Sequence, residues 1–350
     1  MAESVRQMGI TTVITPMCHW LYFEKNAWYW KNLITQTRNN VRRIELLIEQ
    51  HAIDVVYTNT SAIFEPAKAA RRKNMPHLWH VHEVLKPGNR MSQLLPLKWM
   101  QKFIKKHSNQ LVFESNSARA TFNKTVTIPD SQVVYNSLRL QADDLPSNEQ
   151  VQQCRDRLGI SLGKPVVAYV GQFIDRKNPL LLLEAIEQLN VETRPFCIFV
   201  GEGPLQKEMQ EKIETKNLQY CCKIIPFQQD IRDVMIACDI LALPSRQESF
   251  GLVLLEAAAY QKPVVACQSQ GPCEIVLQGE TGYLTPQGQP EAMADAIRKL
   301  AADDALRDRL GKAGRQRTRD LFSPEINTAK LSEFIIQLHE KSSFSRAIVS

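Results

Sequence analysis

The stretch SRQESFGLVLLEAAAYQKPVV, residues 245–265, decides the fold class of this chain. An apolar run at residues 240–243 ends just before it, and the periodic run LVLLEAAAY inside it predicts a helix. This helix leads to a second apolar run at residues 264–267. A strand, a crossover helix and another strand in this order predict a parallel sheet of the α/β class.

The same alternation of short apolar runs and amphipathic stretches continues along nearly the whole chain. In the first part, the predicted strands are residues 11–15, 54–58, 77–81, 111–114 and 133–135. In the second part, they are residues 166–170, 197–200, 223–225, 240–243 and 264–267. We therefore predict two doubly wound units, separated by the polar stretch at residues 139–150. The predicted domains are residues 1–140, residues 141–325, and a final helix and tail at residues 326–350.

Composition excludes several classes of protein. At 350 residues, the chain exceeds the size at which one hydrophobic core usually stops growing. Hydrophobic residues at 44% and charged residues at 23% are typical of a globular protein rather than a disordered one. No apolar run reaches the roughly 18 residues of a membrane-spanning helix, and the N-terminus does not have the pattern of a secretory signal. Since the eight cysteines form no C-x-x-C pair, we expect a cytoplasmic protein with mostly buried thiols.

The net charge of +6 is unevenly divided. Residues 1–150 contain 19 Lys and Arg against 12 Asp and Glu, which gives +7, so the other 200 residues carry −1. A predicted helix in this basic part carries Lys98, Trp99, Lys102, Phe103, Lys105 and Lys106. Such a helix can rest on an anionic membrane surface or face an anionic substrate. A solvated helix face is the alternative that the sequence leaves open.

Ligands of open α/β sheets bind beyond the carboxyl ends of the strands, so the loops after the strands are candidate sites. The loop GQFIDRKN after residues 166–170 offers a tight turn and two cations that could clamp a diphosphate: Gly171, Arg176 and Lys177. In the next such loop, GEGPL, Gly201 and Gly203 let a ligand approach the backbone. A dinucleotide fingerprint would need a third glycine where Gln206 stands, so a nicotinamide-dependent dehydrogenase is disfavoured.

Two glutamates flank the start of the helix in the opening stretch. A helix that begins near Phe250 or Gly251 exposes unpaired N–H groups and the positive end of its dipole, which favour a phosphate. Glu248 lies just before this helix and Glu256 more than a turn inside it. Carboxylates accept hydrogen bonds from hydroxyl pairs, and a nucleotide sugar has such pairs at both ends of a diphosphate. For either glutamate alone, an acid favoured by the helix dipole is the simpler interpretation.

Four segments resemble, in order and spacing, the donor-binding domain of family 4 glycosyltransferases: VGQFIDRKNPLLLLEAI, FVGEGPLQKEM, DVMIACDILALPSRQESFGLVLLEAAAYQKPVVA and GPCEIVLQGETGYL. The most specific feature is E-x7-E with S-F-G inside it. The resemblance covers most of residues 160–325 and, more thinly, IDVVYTNTS, HLWHVHEV and VVYNSL. It implies the GT-B architecture, in which two Rossmann-like doubly wound domains face each other across a cleft.

The resemblance also implies roles for individual residues. Glu256 would bind the ribose hydroxyls of the donor and Glu248 the sugar hydroxyls. Lys177, helped by Arg176, would neutralise the diphosphate leaving group. In WHVHEV, His82 would position the sugar, although a lone strand histidine is more often structural. The other implied donor contacts are Gly171, Gln172, Gly201, Gly203, Ile231, Ser249, Phe250 and Gly251.

The implied reaction is transfer of a hexose with retention of its anomeric configuration, without a metal or other cofactor. The acceptor would be a glycan or a lipid-linked molecule, as in polysaccharide biosynthesis, and no nucleic acid is expected as a partner. The basic first part suits a cytoplasmic protein at the inner membrane face. Two alternatives stay open: a nucleotide-sugar epimerase of the same architecture, and a non-catalytic nucleotide-sugar binding protein. A glycosidase would leave the phosphate-suited loops unexplained.

Two features depart from the family pattern. Family members usually have an arginine where this chain has Gln172, so we expect Arg176 to compensate. The chain opens with MAESVRQMGITTVITP, which predicts a helix, a cap at Gly9 and a strand, whereas such a domain normally begins with a strand and a Gly-rich loop. We therefore expect Met1 to be either an internal start of a longer reading frame or the start of a truncated, weakly active relative.

Overall fold

The computed structural model describes residues 2–21, 27–83, 95–128, 130–138, 145–160 and 163–349, with the backbone alone at residues 2, 27–34 and 342–349. The chain forms two compact units. The first unit consists of Met1–Val134 and Ala329–Ser350, and the second unit is Tyr135–Thr328. Part of the predicted separating stretch, residues 139–144, lies outside the described residues. Each unit contains a parallel sheet with helical crossovers, as the alternation of apolar runs predicted.

The sheet of the first unit has four parallel strands, which pair in the order in which the chain forms them. They are β1 (Val56–Thr58), β2 (His77–Val81), β3 (Gln110–Phe113) and β4 (Gln132–Val133). The helices that precede or connect them are α1 (Ala2–Gln7), α2 (Ala27–Gln50), α3 (Glu65–Arg72), α4 (Leu97–Lys106) and α5 (Asn116–Asn123). The four strands predicted after residue 50 are therefore confirmed, with ends shifted by one or two residues.

Both faces of this sheet are covered. Trp79 and Phe113 pack into one core layer, whereas Leu78 and Val112, which alternate with them along β2 and β3, pack into another. The second layer includes Leu338 of the C-terminal helix. Since neighbouring residues of a strand point to opposite faces, a continuous apolar run is the expected sequence of a strand that is buried on both sides.

The predicted strand at residues 11–15 is wrong. Helix α1 forms as predicted, and Gly9 follows it in the left-handed conformation, with φ of +78°. Residues 10–19, however, adopt no regular secondary structure, and the side chains of Val13 and Ile14 are 46% and 70% exposed. A strand forms when a neighbour pairs with its backbone and buries one of its faces, and no described strand does this for residues 11–15.

The second unit has a six-stranded parallel sheet in the order β10-β9-β8-β5-β6-β7. The strands are β5 (Val166–Val170), β6 (Phe196–Val200), β7 (Cys222–Ile225), β8 (Ile240–Leu243), β9 (Val264–Cys267) and β10 (Gly282–Thr285). The helices are α6 (Asn148–Leu158), α7 (Pro179–Glu187), α8 (Gln206–Thr215), α9 (Arg232–Ala237), α10 (Leu252–Ala259), α11 (Pro272–Ile275), α12 (Pro290–Ala302), α13 (Asp304–Leu321) and α14 (Pro324–Val349). Helix α14 begins in the second unit and belongs to the first unit from Ala329 onward. The five strands predicted here are confirmed, and β10, a short strand at the sheet edge, was not predicted.

The strand order of the second unit reverses between β5 and β8. From β5 the chain builds outward to β7 on one side, and from β8 it builds outward to β10 on the other. Val167 and Tyr169 of β5 belong to one core layer, and Val166 and Ala168 belong to the opposite one, so helices cover both faces. The crevice outside the carboxyl ends of two such strands is where open α/β sheets bind ligands.

One further property of the helices concerns membranes. No helix in the described part of the chain is both long enough and apolar enough to cross a bilayer.

Candidate functional site

The candidate site lies at the carboxyl ends of β5 and β8 in the second unit. The hydroxyl of Tyr169, a buried residue of β5, donates a hydrogen bond of 2.8 Å to the carbonyl oxygen of Gln172. Burial raises the pKa of Tyr169, and the nearby charge of Glu248 raises it further, so the hydroxyl keeps its proton and remains a donor. Tyr169 therefore fixes the turn that contains Gly171 and Gln172.

The loops after β5 and β6 pack backbone against backbone. A Cβ atom on Gly201 would lie 2.0 Å from the carbonyl oxygen of Gly171, and one on Gly203 would lie 2.5 Å from that of Phe173. The N–H of Phe173 donates to the carbonyl oxygen of Glu202 at 2.8 Å. Gly201 and Gly203 thus permit a close approach of the protein's own loops, and their contact with a ligand stays a prediction.

Lys177 and Glu248, which lie 71 positions apart, meet as an ion pair. Lys177 Nζ contacts Glu248 Oε2, and Ser245 Oγ donates to the same oxygen at 3.4 Å. The two charged side chains are 19% and 9% exposed, so solvent screens their attraction only weakly. The structure therefore brings together two of the three residues predicted to be catalytic.

Backbone contacts tie the loop after β5 to the loop after β8. The N–H of Arg246 donates to the carbonyl oxygen of Arg176 at 2.9 Å, and Arg176 Nη1 lies 3.3 Å from the carbonyl oxygen of Gln247. Arg176 and Gln172 are both exposed on this rim. The compensation of Gln172 by Arg176 stays a prediction.

Helix α10 begins at this site with free amide groups. Gly251 precedes the helix in the left-handed conformation, with φ of +98°, and no side chain caps it. Phe250 is buried against the rings of Tyr135 and Phe322, which anchors the turn. Within the described part of the chain, the N–H groups of residues 251–253 donate to no other group. Free N–H groups at a helix start can bind an anion, and their role as the predicted phosphate site stays a prediction.

Glu256 differs from Glu248 in its surroundings. Its side chain is half-buried on α10, and burial alone raises its pKa. In the part of the chain that the structure describes, no group donates a hydrogen bond to its carboxylate. A half-buried carboxylate without a donor has unused capacity to accept hydrogen bonds from a ligand.

Two other predicted donor contacts, Ile231 and Ser249, also belong to the second unit. Ile231 directly precedes α9 and packs partly buried against the core, and Ser249 is half-buried next to Phe250. Phe227, in the loop that precedes Ile231, is 62% exposed. Among the described residues, no group of three His, Cys, Asp or Glu side chains is arranged to hold a metal ion.

Three residues that hold the site together were not predicted as site residues: Tyr169, Ser245 and Gln287. Gln287 Nε2 donates at 2.7 Å to the carbonyl oxygens of both Arg246 and Gln268, and so braces the loops after β8 and β9. Ser245 could have been found from its place three residues before Glu248. Tyr169 and Gln287 carry no such signal, because their partners are fixed by folding and not by a motif.

The third predicted catalytic residue, His82, lies in the first unit, directly after β2. Its Nε2 atom is 2.6 Å from Asn59 Oδ1, its Nδ1 atom is 3.5 Å from Glu114 Oε2, and its ring centroid is 4.0 Å from that of His80. The two histidines, which alternate along the chain, therefore lie on the same side. Burial, with a smaller contribution from His82, lowers the pKa of His80 to about 3. The carboxylate of Glu83, the next residue, accepts hydrogen bonds from the backbone N–H and the hydroxyl of Ser61, in the loop after β1.

Comparisons with known proteins agree with this geometry. Residues 150–317 match the family model of the group 1 glycosyl transferases. Among curated relatives, alpha-D-kanosaminyltransferase of Streptomyces kanamyceticus is 27% identical over 61% of this chain and 57% of its own length. D-inositol 3-phosphate glycosyltransferase of Corynebacterium glutamicum is 34% identical over 53% of this chain and 47% of its own length. The chain thus spans about half the length of these relatives.

Similar solved structures cover both units. HepE of Anabaena in complex with UDP has a TM-score of 0.78 at 23% identity, over 85% of this chain and 82% of that one. A glycosyltransferase of Rickettsia africae has a TM-score of 0.80 at 20% identity, over 96% of this chain and 87% of that one. These likenesses confirm the predicted fold class, an α/β protein of GT-B architecture with two Rossmann-like domains.

Proposed function

We propose that this chain is a retaining glycosyltransferase of family 4, which moves a hexose from a nucleotide-diphosphate sugar to a glycan or lipid-linked acceptor. One observation carries the proposal. At the reversal point of the second sheet, an ion pair, an open helix start and an unpartnered half-buried carboxylate lie within two neighbouring loops and one helix. The match of residues 150–317 to group 1 glycosyl transferases supports the same conclusion.

The proposed donor complex uses each part of this site. The diphosphate accepts hydrogen bonds from the N–H groups of residues 251–253 and draws Lys177 toward it. Glu248 then receives sugar hydroxyls in place of the Lys177 ammonium group. Glu256 accepts the ribose hydroxyls, which supply the donors that its carboxylate has not found within the described protein.

The proposed chemistry depends on charge at the leaving group. Bond cleavage leaves an additional negative charge on the diphosphate, and Lys177 and the dipole of α10 stabilise it without a metal or other cofactor. Retention of configuration follows when the acceptor hydroxyl attacks from the leaving-group face and gives its proton to the departing phosphate. His82 is proposed to position the sugar from the first unit.

The experiment that tests this function is calorimetric binding of nucleoside diphosphates and their sugars to the intact chain and to Glu256→Ala. We expect one base to bind selectively, and about tenfold weaker binding in the variant, the effect of losing roughly 1.4 kcal/mol of hydrogen bonding. Glu280→Ala, an exposed glutamate on another loop of the same unit, is the matched control. Absence of binding by folded protein contradicts the proposal.

A transfer assay with the selected donor then separates the alternatives. Formation of a glycosylated acceptor supports the transferase. Consumption of the donor without an acceptor product would indicate an epimerase. Tight donor binding without turnover on any glycan or lipid-linked acceptor would indicate a non-catalytic binding protein.

We also propose that the first unit contacts an anionic membrane surface from the cytoplasmic side, through helix α4. Trp99 is 71% exposed on this helix, and Lys98, Lys102, Lys105 and Lys106 are exposed beside it. Phe103 does not contribute, because its ring packs on Trp20 and His107 in the core. Tryptophan is favoured at the membrane–water interface, and lysines are attracted to anionic lipid headgroups, so this helix has the side chains that an anionic bilayer surface binds.

Vesicle co-sedimentation tests this contact. We expect binding to anionic phosphatidylserine vesicles, and its loss when Lys102, Lys105 and Lys106 are changed to Glu. Changing three exposed lysines of the second unit, Lys207, Lys216 and Lys312, to Glu alters the net charge equally and should preserve binding. Absence of binding by the unmodified chain, or equal loss in both variants, contradicts a specific contact through α4.

A further inference from the structure

The carboxyl ends of β1, β2 and β3 carry a connected set of polar side chains in the first unit. The Tyr57 hydroxyl lies 2.7 Å from Asn59 Oδ1 and 2.8 Å from His80 Nδ1. Asn59 Oδ1 lies 2.6 Å from His82 Nε2, and His82 Nδ1 lies 3.5 Å from Glu114 Oε2. The His82 side chain is 23% exposed and that of Glu114 only 3%. A histidine that reaches solvent thus faces a buried carboxylate.

The donors and acceptors of this set can be satisfied in two ways. If the Asn59 oxygen accepts from both Tyr57 and His82 Nε2, the remaining nitrogen Nδ1 still faces a carboxylate. If the Asn59 amide is turned round, its NH₂ group donates to Nε2, and Nδ1 must then carry the proton. In the neutral ring, the first arrangement leaves a bare Nδ1 lone pair directed at Glu114, which is repulsive, so the carboxylate favours the second arrangement, with the proton on Nδ1.

We propose that Glu114 is a positioning residue for His82, which holds a proton on Nδ1, fixes the plane of the ring and leaves Nε2 available for a sugar hydroxyl in exchange for Asn59. The inference rests on the proposed function only in its last part, the contact between His82 and the sugar. Removing a carboxylate from the protonated nitrogen of a working histidine typically leaves the wrong tautomer in place.

Burial explains why a carboxylate at this position is informative. Placing Glu114 at 3% side-chain exposure is costly unless charged or donating groups face it, and the imidazole of His82 is one such group. His80, the neighbouring ring, remains neutral because its pKa is lowered to about 3. The two neighbouring rings therefore have distinct tasks, with His80 part of the core and His82 presented to solvent.

The first test reads the tautomer directly and does not require activity. Two-bond ¹H–¹⁵N spectra of the intact ¹⁵N-histidine-labelled protein report which ring nitrogens carry protons, and His82 is assigned by the loss of its signals in His82→Asn. We expect a protonated Nδ1 in the unmodified protein and a shift toward the Nε2–H form in Glu114→Gln. Glu83→Gln, which removes the adjacent carboxylate that binds Ser61, should leave the His82 signals unchanged. A bare Nδ1 in the unmodified protein, or identical His82 signals in Glu114→Gln, overturns the inference.

The second test is a double-mutant cycle in the transfer assay. We expect Glu114→Gln to lower kcat about 10- to 100-fold, as loss of a partner of a functional histidine does, with a smaller change in KM for the donor. In the His82→Asn background, the same change should cost less than about twofold. If Glu114→Gln lowers kcat equally in the unmodified protein and in His82→Asn, Glu114 contributes only to packing. If the unmodified chain transfers no sugar, the proposed function fails, and the spectra still decide the role of Glu114.

Discussion

Lys177 and Glu248 neutralise each other in the free protein, and this pairing has consequences for ligand binding at the scale of single residues. In the proposed donor complex, a diphosphate draws the ammonium group away from the carboxylate, and sugar hydroxyls compensate the carboxylate that is left behind. A nucleotide sugar therefore completes both parts of the exchange, and a nucleoside diphosphate completes only the first. Under the proposed function, we therefore expect the ion pair to favour the intact donor over the nucleoside diphosphate product.

This exchange predicts that removing the Glu248 carboxylate increases the affinity for a nucleoside diphosphate. We expect Glu248→Gln to bind UDP, GDP or ADP, whichever the chain selects, about three- to tenfold more tightly, because Lys177 no longer has a competing carboxylate. Sugar transfer should fall at the same time. Calorimetry measures the affinity. The matched control is Glu202→Gln, an exposed acid on the neighbouring loop, and an equal gain there would reduce the effect to net charge.

At the scale of elements, α13 and α10 are held in contact by small residues. A Cβ on Gly311 of α13 would lie 1.8 Å from the carbonyl oxygen of Gln261, a residue just after α10. The backbone at the end of α10 therefore packs directly against the backbone of α13. One turn further on, a Cβ on Gly314 would lie 3.7 Å from the Cβ of Ala258, which is an ordinary contact. Since α10 carries Glu256, this packing supports the site.

Substitution by alanine should change the stability of the protein in opposite directions at these two glycines. We expect Gly314→Ala to stabilise the protein by about 0.5–1 kcal/mol, because alanine is the better helix former and has space there. Gly311→Ala should destabilise it by about 1–3 kcal/mol, the usual cost of overpacking. Urea unfolding followed by circular dichroism measures both changes. Equal effects at the two positions would show that the close approach at Gly311 is unimportant.

The two units should also differ in their response to acid, which is a property of the whole molecule. Burial lowers the pKa of His77 to about 4 and that of His80 to about 3, and both residues belong to the first unit. The unfolded chain binds protons at these sites below about pH 6.5, whereas the folded unit does not. Stability is therefore complete above pH 6.5 and is lost as the pH falls toward 4. Glu256 of the second unit has the opposite sign, because its pKa is raised and its folded form binds the proton more tightly.

Tryptophan fluorescence can follow this loss, because all five tryptophans lie within residues 1–134. We expect the urea midpoint reported by fluorescence to be lower at pH 5.0 than at pH 7.5, because below about pH 6.5 the free energy of unfolding falls by up to about 1.4 kcal/mol per pH unit for each buried histidine. His77→Gln should reduce the slope, and His51→Gln, at an exposed position, should not. A midpoint that is the same at both pH values would contradict the assignment of these histidines as buried and neutral.

Sequence alone determined most elements of the second unit, because its strands are buried on both faces and read as continuous apolar runs between turn residues. It also placed the start of α10 within two residues, since Gly251 and the apolar run that follows fix a helix boundary. The same local rules failed at residues 11–15, where β-branched residues predicted a strand. Strand formation depends on a partner strand, and no local pattern encodes whether one is present.

Only the tertiary structure decided which of the predicted residues meet. The pairing of Lys177 with Glu248, the bond from Tyr169 to the β5 loop and the contact of His82 with Glu114 join residues that are distant in sequence or carry no motif. The resemblance of the opening stretch indicated that Glu248 and Glu256 belong to one site. The fold showed that one is neutralised and the other is not, because the strand order brings a lysine from the end of β5 to Glu248 and leaves Glu256 on the helix behind it, without a described donor.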